Sequence, residues 1–461
     1  MKKNILFFGA FLFSTLFYNQ AIGLNLLLFS LLTTTVLFIN NKTDFKQQKT
    51  SVYACLYMVT GIAVFFHDSA LAILANCVSF FTLIGLVSQH KSSLYVNWLN
   101  GIYTTVAGIL HRNFTINEEG QPVKEKSNVD YLHAAKIVVI PLVVLIIFIA
   151  LYKNGNPVFN DLISKIDFSF INVQWVLFAG LGYYLLSNIH QPVEVEPATA
   201  LDLKTGNILN KSNYFSLPKL KQENQLGIIL IGMLNGLIVL FLITDISTLI
   251  ATTDIRGSVF SAQIHNGINA LIASIVIAIL ILLYVFRGDL NFYDANKTLK
   301  RLAITWIVLN ILLVLSIATK NSQYIYYFGL TYKRIGVHIY LILSVVGLIT
   351  TLLKISSVKN IWYLFRVNTQ VAFAILIIAS TVNWDSLITN YNLNHAKSMD
   401  FKYLIELSDN NTLELNAQMK LKPLNADYLR LVEKKYKRYT TKLKESNWQE
   451  LQYDNFKLET K

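Results

Sequence analysis

Long apolar runs, separated by short polar loops, fill residues 5–382 of this chain. The stretches at 134–152, 227–244, 266–286, 302–319 and 361–382 each approach the roughly 20 apolar residues that cross about 30 Å of hydrocarbon. Several such runs in one chain do not fit inside a soluble core, so the solvent for most of this protein is a lipid bilayer. Charged residues are only 15% of the chain and apolar residues 54%, against about 25% and 45–50% in soluble domains, and both shifts go the way a bilayer demands.

The pattern predicts an all-α fold, a polytopic transmembrane helix bundle with a small, soluble, helical C-terminal tail. Apolar segments at 5–18, 22–39, 52–66, 69–88, 134–152, 171–189, 227–247, 264–286, 302–319, 336–353 and 361–382 give eleven spans. The start, Lys2-Lys3 before an apolar stretch, also fits a signal peptide ending near Ala21-Ile22-Gly23. The second apolar stretch that follows at once favours an uncleaved helical hairpin. Segment 94–110 mixes Asn97, Asn100, Thr104 and Thr105 with Trp98 and Tyr103, which suits a helix in the interface or one packed inside the bundle. As a twelfth span it would reverse everything after it.

Lysine and arginine placement favours eleven. With the N-terminus cytoplasmic and 94–110 not spanning, most cations fall in inside loops, while the outside loops hold Lys153, Lys165, Arg256, Lys320, Lys333 and Arg334. The domains are then a membrane region over 1–390, with cytoplasmic loops 111–133 and 190–225, and an extracytoplasmic tail over 391–461. The net charge of +13 is assigned to topology and anionic headgroups, and nucleic acid is not an expected partner. The two loops read as connectors or docking segments. Within the tail, residues 426–445 place Tyr428, Leu429, Val432, Tyr436, Tyr439 and Leu443 at helical spacing, and 398–407 suit a second short helix. The tail is expected to pack on the outer face of the bundle or to bind a protein partner.

Ionisable groups at membrane depth are costly, and each is a candidate for function. Asp245 ends one span, His265 begins the next, Arg334 and His338 open another, and Asp385 follows the last. All five fall near one boundary, where they can form a proton-responsive or anion-binding cluster or simply sit among headgroups. Arg366, one turn inside the final span, is expected to snorkel to the headgroups, with a polar partner in the bundle as the alternative. Asn235, Asn310, Asn368 and Gln370 are explained by interhelical hydrogen bonds. Gly232 and Gly236 match a small-xxx-small packing stripe, and Cys55 and Cys77 read as buried, inert thiols. No cofactor or metal is called for: phosphate-cradling, zinc-protease and serine-hydrolase motifs are missing, as are paired Cys ligands.

The most distinctive string is YIYYFGLTYKR at 324–334. Gly329 permits a turn, Thr331 can cap the next helix, and Arg334 stands where it can clamp a carboxylate or phosphate. With GLNLLLF at 23–29 and the pair Tyr391-Asn392, this motif of Gly329, Leu330, Thr331 and Arg334 resembles a bacterial family of polytopic membrane proteins, domain of unknown function 4173, with the related 4153 group beside it. The resemblance covers about 60–390 and implies an integral membrane location and no particular catalysis. The Lys-, Asn- and Ile-rich style resembles Gram-negative bacterial proteins, which implies the inner (plasma) membrane.

Three function classes follow. The first is a non-enzymatic protein that senses or organises the envelope, with membrane lipids around it and a protein partner at its tail or cytoplasmic loops. The second is a transporter or flippase of a small or lipid-like molecule, which calls for a polar pathway to the midplane. The third is a membrane-embedded enzyme modifying lipid or glycan, which calls for convergence of Asp245, His265, Arg334 and His338. The first is favoured over the second, and the second over the third.

Overall fold

The computed structural model describes residues 2–114, 131–164, 172–212, 216–251, 257–398, 400–419 and 426–459. In chain order the helices are α1 (Lys2–Phe17), α2 (Leu24–Asn40), α3 (Gln48–Phe66), α4 (Ala70–Ser88), α5 (Leu94–Phe114), α6 (Tyr131–Gly155), α7 (Pro157–Ser164), α8 (Val173–Ile189), α9 (Glu196–Lys204), α10 (Leu217–Ala251), α11 (Gly257–Val285), α12 (Lys297–Phe328), α13 (Tyr332–Ser356) and α14 (Ile361–Ser380). The tail adds α15 (Trp384–His395), α16 (Phe401–Glu406), α17 (Thr412–Met419), α18 (Ala426–Glu445) and α19 (Tyr453–Glu459). Every apolar segment read from the sequence is a helix, and among the described residues no strand forms beyond an isolated bridge of Ile208 with Lys359.

Among the described residues seven helices, α3, α4 and α10 to α14, are long and apolar enough to cross a membrane, while α1, α2 and α8 are shorter apolar helices. The surface is the reverse of a soluble protein's. On α10 alone Met233 is 73% exposed and Leu240 65%. An apolar face of this size without a protein cover is stable against lipid, not water, and the chain is a membrane protein. Cys55 and Cys77 share that surface: both are free and exposed, not buried as their apolar context suggested. In a bilayer an apolar neighbourhood marks the outside of a bundle as readily as its inside.

Two cores organise the helices. Leu37, Tyr57, Leu83, Ile84 and Leu186 close α1–α4 and α8 into one group. Ile231, Leu282, Ile307, Ile317 and Leu348 close α10–α13 into another. Helix α14 packs against α13 and joins the groups, with Phe373 and Ile377 against Ala75 of α4.

The contacts at helix termini define two ends. At the loop end Asn41 bonds the His190 carbonyl at 3.0 Å, and Lys49 bonds those of His90 and Ser92 at 3.0 and 3.2 Å. At the tail end Asn172 donates to Tyr18 at 2.9 Å, His67 meets the Ser380 carbonyl at 2.8 Å, and Asn410 bonds the Asp68 carbonyl at 3.1 Å.

Helix α5 packs closely on α4 and meets α8, with Leu99, Ile102, Val106 and Leu110 left exposed along one side. Its Asn97 and Gly101 lie against Gly85 and Phe81, in the last two turns of α4. Its Ile109 N–H reaches Asn188 at 2.7 Å, in the last turn of α8. Glycine makes the close packing possible, since a Cβ on Gly85 or Gly101 would stand 1.9 or 2.0 Å from a backbone oxygen. The expected stripe of Gly232 and Gly236 has no such role, because nothing lies within 4 Å of either Cβ position. Close approach is set by where the neighbouring helix runs, which a small-residue pattern does not specify.

Candidate functional site

The string 324–334 folds as the end of α12, a turn, and the first turn of α13. Gly329 has φ +80°, which glycine adopts without strain. Asn392 of α15 fills the space beside it: Nδ2 donates to the Leu330 carbonyl at 2.9 Å, and Oδ1 accepts from the Leu330 N–H. The two fragments of the sequence motif, Gly-Leu-Thr and Tyr391-Asn392, are therefore one joint. Thr331 caps α13, its hydroxyl oxygen 3.4 Å from the Arg334 N–H.

Arg334 turns back over this joint. Its Nη1 donates to the Phe328 carbonyl at 2.9 Å and to that of Gly329. The guanidinium stacks 4.1 Å over the Tyr324 ring, and Asn321 donates to the Arg334 carbonyl at 2.9 Å. A cavity of about 480 Å³ opens here between α11, α12 and α13, with Lys333, Arg334 and Tyr340 on its polar side and Ile268, Ile272 and Val337 on its apolar side.

Asp245 lies close by along α12. It pairs with Lys320 and accepts from the Ser316 hydroxyl. Lys320 and Asn321 are sequence neighbours, so one turn of α12 serves Asp245 on one side and Arg334 on the other. His338 is half-buried on α13. His265 belongs to α11, and its side chain lies outside the described residues. Loop residues 115–130 likewise lie outside them.

Asp385 is the hub of a second polar joint, 2% exposed. It accepts from the Tyr332 hydroxyl at 2.7 Å and from the Ser408 hydroxyl. Lys435 of α18 reaches in beside it and donates to the carbonyls of Leu407 and Ser408 and to Asn411, at 2.8, 3.0 and 2.8 Å. Burial pulls the Lys435 ammonium down to about 8. His67 is pulled below its ordinary value by burial, partly offset by the Ser380 carbonyl and Asp385. Lys435 was missed in the sequence, although its spacing from Val432 and Tyr439 puts it on the apolar face of α18. Farther along the tail Leu24 N–H donates to the Leu451 carbonyl at 2.9 Å and Ala21 N–H to Glu450 at 2.7 Å. The tail is thus fastened at the α12–α13 turn, α13, the α3–α4 turn and the α1–α2 turn.

The loop end holds a tighter network. Arg366 does not snorkel. It donates from Nε to Ser93 at 2.9 Å, from Nη1 to Asn207 at 2.6 Å, and from Nη2 to the Asp202 carboxylate at 3.0 Å and the Thr205 carbonyl at 2.7 Å. Asp202 also accepts from Ser93 and Tyr95. Burial pushes the Asp202 carboxyl up, but the bonds from Ser93, Arg366 and Tyr95 outweigh it and hold the group below its usual range. The segment 190–212 is consequently structural. It is stitched along α5 by Thr104 to Val193 and Asn100 to Val195, and its bridge at Ile208 meets the start of α14. Such bonds substitute for a hydrophobic period, which is why the segment read as a plain connector.

Asn235 and Asn368 make interhelical bonds as expected, to the Leu302 carbonyl and to Thr350. Asn310 bonds within its own helix, to the Trp306 carbonyl. Among the described residues no group of three or more His, Cys, Asp or Glu is placed to hold a metal ion.

Comparison with known proteins identifies residues 5–418 as a Domain of unknown function (DUF4153). The chain belongs to this family. The match is to the 4153 group, which the sequence motif had placed beside 4173, and it reaches past α14 into the tail as far as α17. The family boundary thus takes in Asn392, Asp385 and Ser408, the tail residues of the two joints at the start of α13. No curated protein and no solved structure matches.

Proposed function

We propose that this is a multi-pass protein of a bacterial inner membrane that senses or organises the envelope, with the tail end facing outward. The observation that carries the reading is the fastening of the tail. Asn392 on Leu330, Asp385 on Tyr332 and Asn410 on the Asp68 carbonyl tie it to the α12–α13 turn, α13 and the α3–α4 turn, so a partner bound to the tail also pulls on those helix ends. The outer face of α18 stays exposed and basic at Lys434, Lys437 and Lys444, a surface suited to an acidic partner or anionic headgroups.

The orientation draws on two supports. Lysine and arginine concentrate in the loops at one end. We leave α5 out of the crossings, which gives eleven apolar helices, a count that the end contacts of α2, α3, α8 and α14 support. The N-terminus lies in the cytoplasm in this reading, and the segment 190–212 faces the cytoplasm with it.

The test labels a Lys444→Cys variant, in a background lacking Cys55 and Cys77, with a membrane-impermeant maleimide on intact inner-membrane vesicles of both orientations. Labelling from the outer face supports the reading. Labelling only from the cytoplasmic face reverses the orientation and ends the envelope-facing role. A second arm complements a deletion strain: Arg334→Ala at normal abundance is expected to fail, and full complementation would remove Arg334 from the working surface.

A further inference from the structure

We infer that the cavity between α11, α12 and α13 is a binding site for one anionic phospholipid of the leaflet at the tail end. This goes beyond the envelope role and holds whichever side of the membrane that end faces.

Charge is the first argument. Lys333 and Arg334 both line the cavity, and among the described residues no carboxylate does. The nearby acids are engaged elsewhere, Asp245 with Lys320 and Asp385 with Tyr332 and Ser408. Lys333 makes no ion pair among the described residues, and Nε and Nη2 of Arg334 make no hydrogen bond among them. The guanidinium is nonetheless held in place, by Nη1 on two carbonyls and by the Tyr324 ring. Two remaining donors on a fixed plane match the paired oxygens of a phosphate.

Position is the second. Lys333 and Arg334 occupy the first turn of α13, directly after the Thr331 cap. Cations are disfavoured at a helix N-terminus, and an anion placed there satisfies both the helix dipole and the two side chains. Helix α13 has 25 residues, about 37 Å of helix against about 30 Å of hydrocarbon, so its first turn stands at headgroup level.

Shape is the third. Ile268, Ile272 and Val337 continue the cavity wall toward the hydrocarbon, where an acyl chain would lie. A soluble anion has no use for that wall, and a neutral lipid has none for the two cations.

The experiment is native mass spectrometry of the full chain with defined lipids. Phosphatidylglycerol is compared with phosphatidylcholine of the same chains and with glycerol phosphate. Lys333→Gln removes an exposed charge, and Val337→Trp fills the cavity while keeping both cations. Thermal unfolding confirms that each variant is folded. The expected result is selective retention of phosphatidylglycerol by the native chain, falling about tenfold in each variant. Equal retention of the two lipids, or unchanged retention in both variants, overturns the proposal. Glycerol phosphate binding as tightly as phosphatidylglycerol also overturns it and leaves a small-anion site instead.

Discussion

Asn392 holds both backbone groups of Leu330, accepting from its N–H and donating to its carbonyl at 2.9 Å. One side chain thus does for the α12–α13 turn what a paired strand does in a sheet. Its fit depends on the bare Cα of Gly329, since a Cβ there would lie 2.5 Å from Asn392 Oδ1.

Gly329→Ala is therefore expected to open this joint. It combines a positive φ with a clash, and a loss of about 1–3 kcal/mol follows. Asn392→Ala leaves two part-buried backbone groups of Leu330 unmet and is expected to cost about 1–2 kcal/mol. Thermal unfolding in detergent measures both, and because the two act on one joint, the double variant should lose less than the sum.

At the loop end Arg366→Lys is expected to behave almost as badly as removal. A lysine ammonium reaches one or two of the acceptors that the guanidinium serves together, Ser93, Asn207, Asp202 and Thr205. A double-mutant cycle with Asp202→Asn should return a coupling of about 0.5–3 kcal/mol. Coupling near zero would mean that the bridge adds nothing beyond its separate hydrogen bonds.

The tail should tighten in alkali. Lys435 releases its proton near 8 when folded but near 10.5 when unfolded. Between those values the unfolded chain binds the extra proton, so stability rises with pH there and is lost as pH falls through 8. Limited proteolysis of the tail across that range should show increasing protection. In Lys435→Met the slope should be absent.

Two glycine substitutions on exposed and crossing helices should separate cleanly. Gly101→Leu drives a side chain into the Phe81 backbone, and a loss of about 3 kcal/mol or more is expected, seen as low abundance. Gly232→Ala meets open space and should raise stability by up to about 1 kcal/mol through helix propensity.

What was legible in the residues follows from what each signal measures. Apolar runs located α3, α4 and α10 to α14, because the bilayer imposes a length and a composition on any crossing helix. The helix at 426–445 was legible to the residue, since periodicity and dipole-matched charges agree there. Thr331 as a cap was legible because capping is local. The partners of Arg366 were not: Asp202 and Ser93 lie 164 and 273 residues away, and no local pattern encodes them. Nor was the role of Gly85, which depends on the path of α5. Of the residues named at that boundary, Asp245 pairs with Lys320, Arg334 holds the turn before it and Asp385 bonds Tyr332, partners that no local pattern encodes.

The bonds from Leu24 to Leu451 and from Ala21 to Glu450 set an order on synthesis. The first hairpin leaves the ribosome early, yet its turn acquires these partners only after residue 451 has been made. Until then the turn stands unfinished, and a chain cut short before the tail can never close it. A quality-control protease that recognised the unpaired turn would, in effect, be checking that the tail had been made.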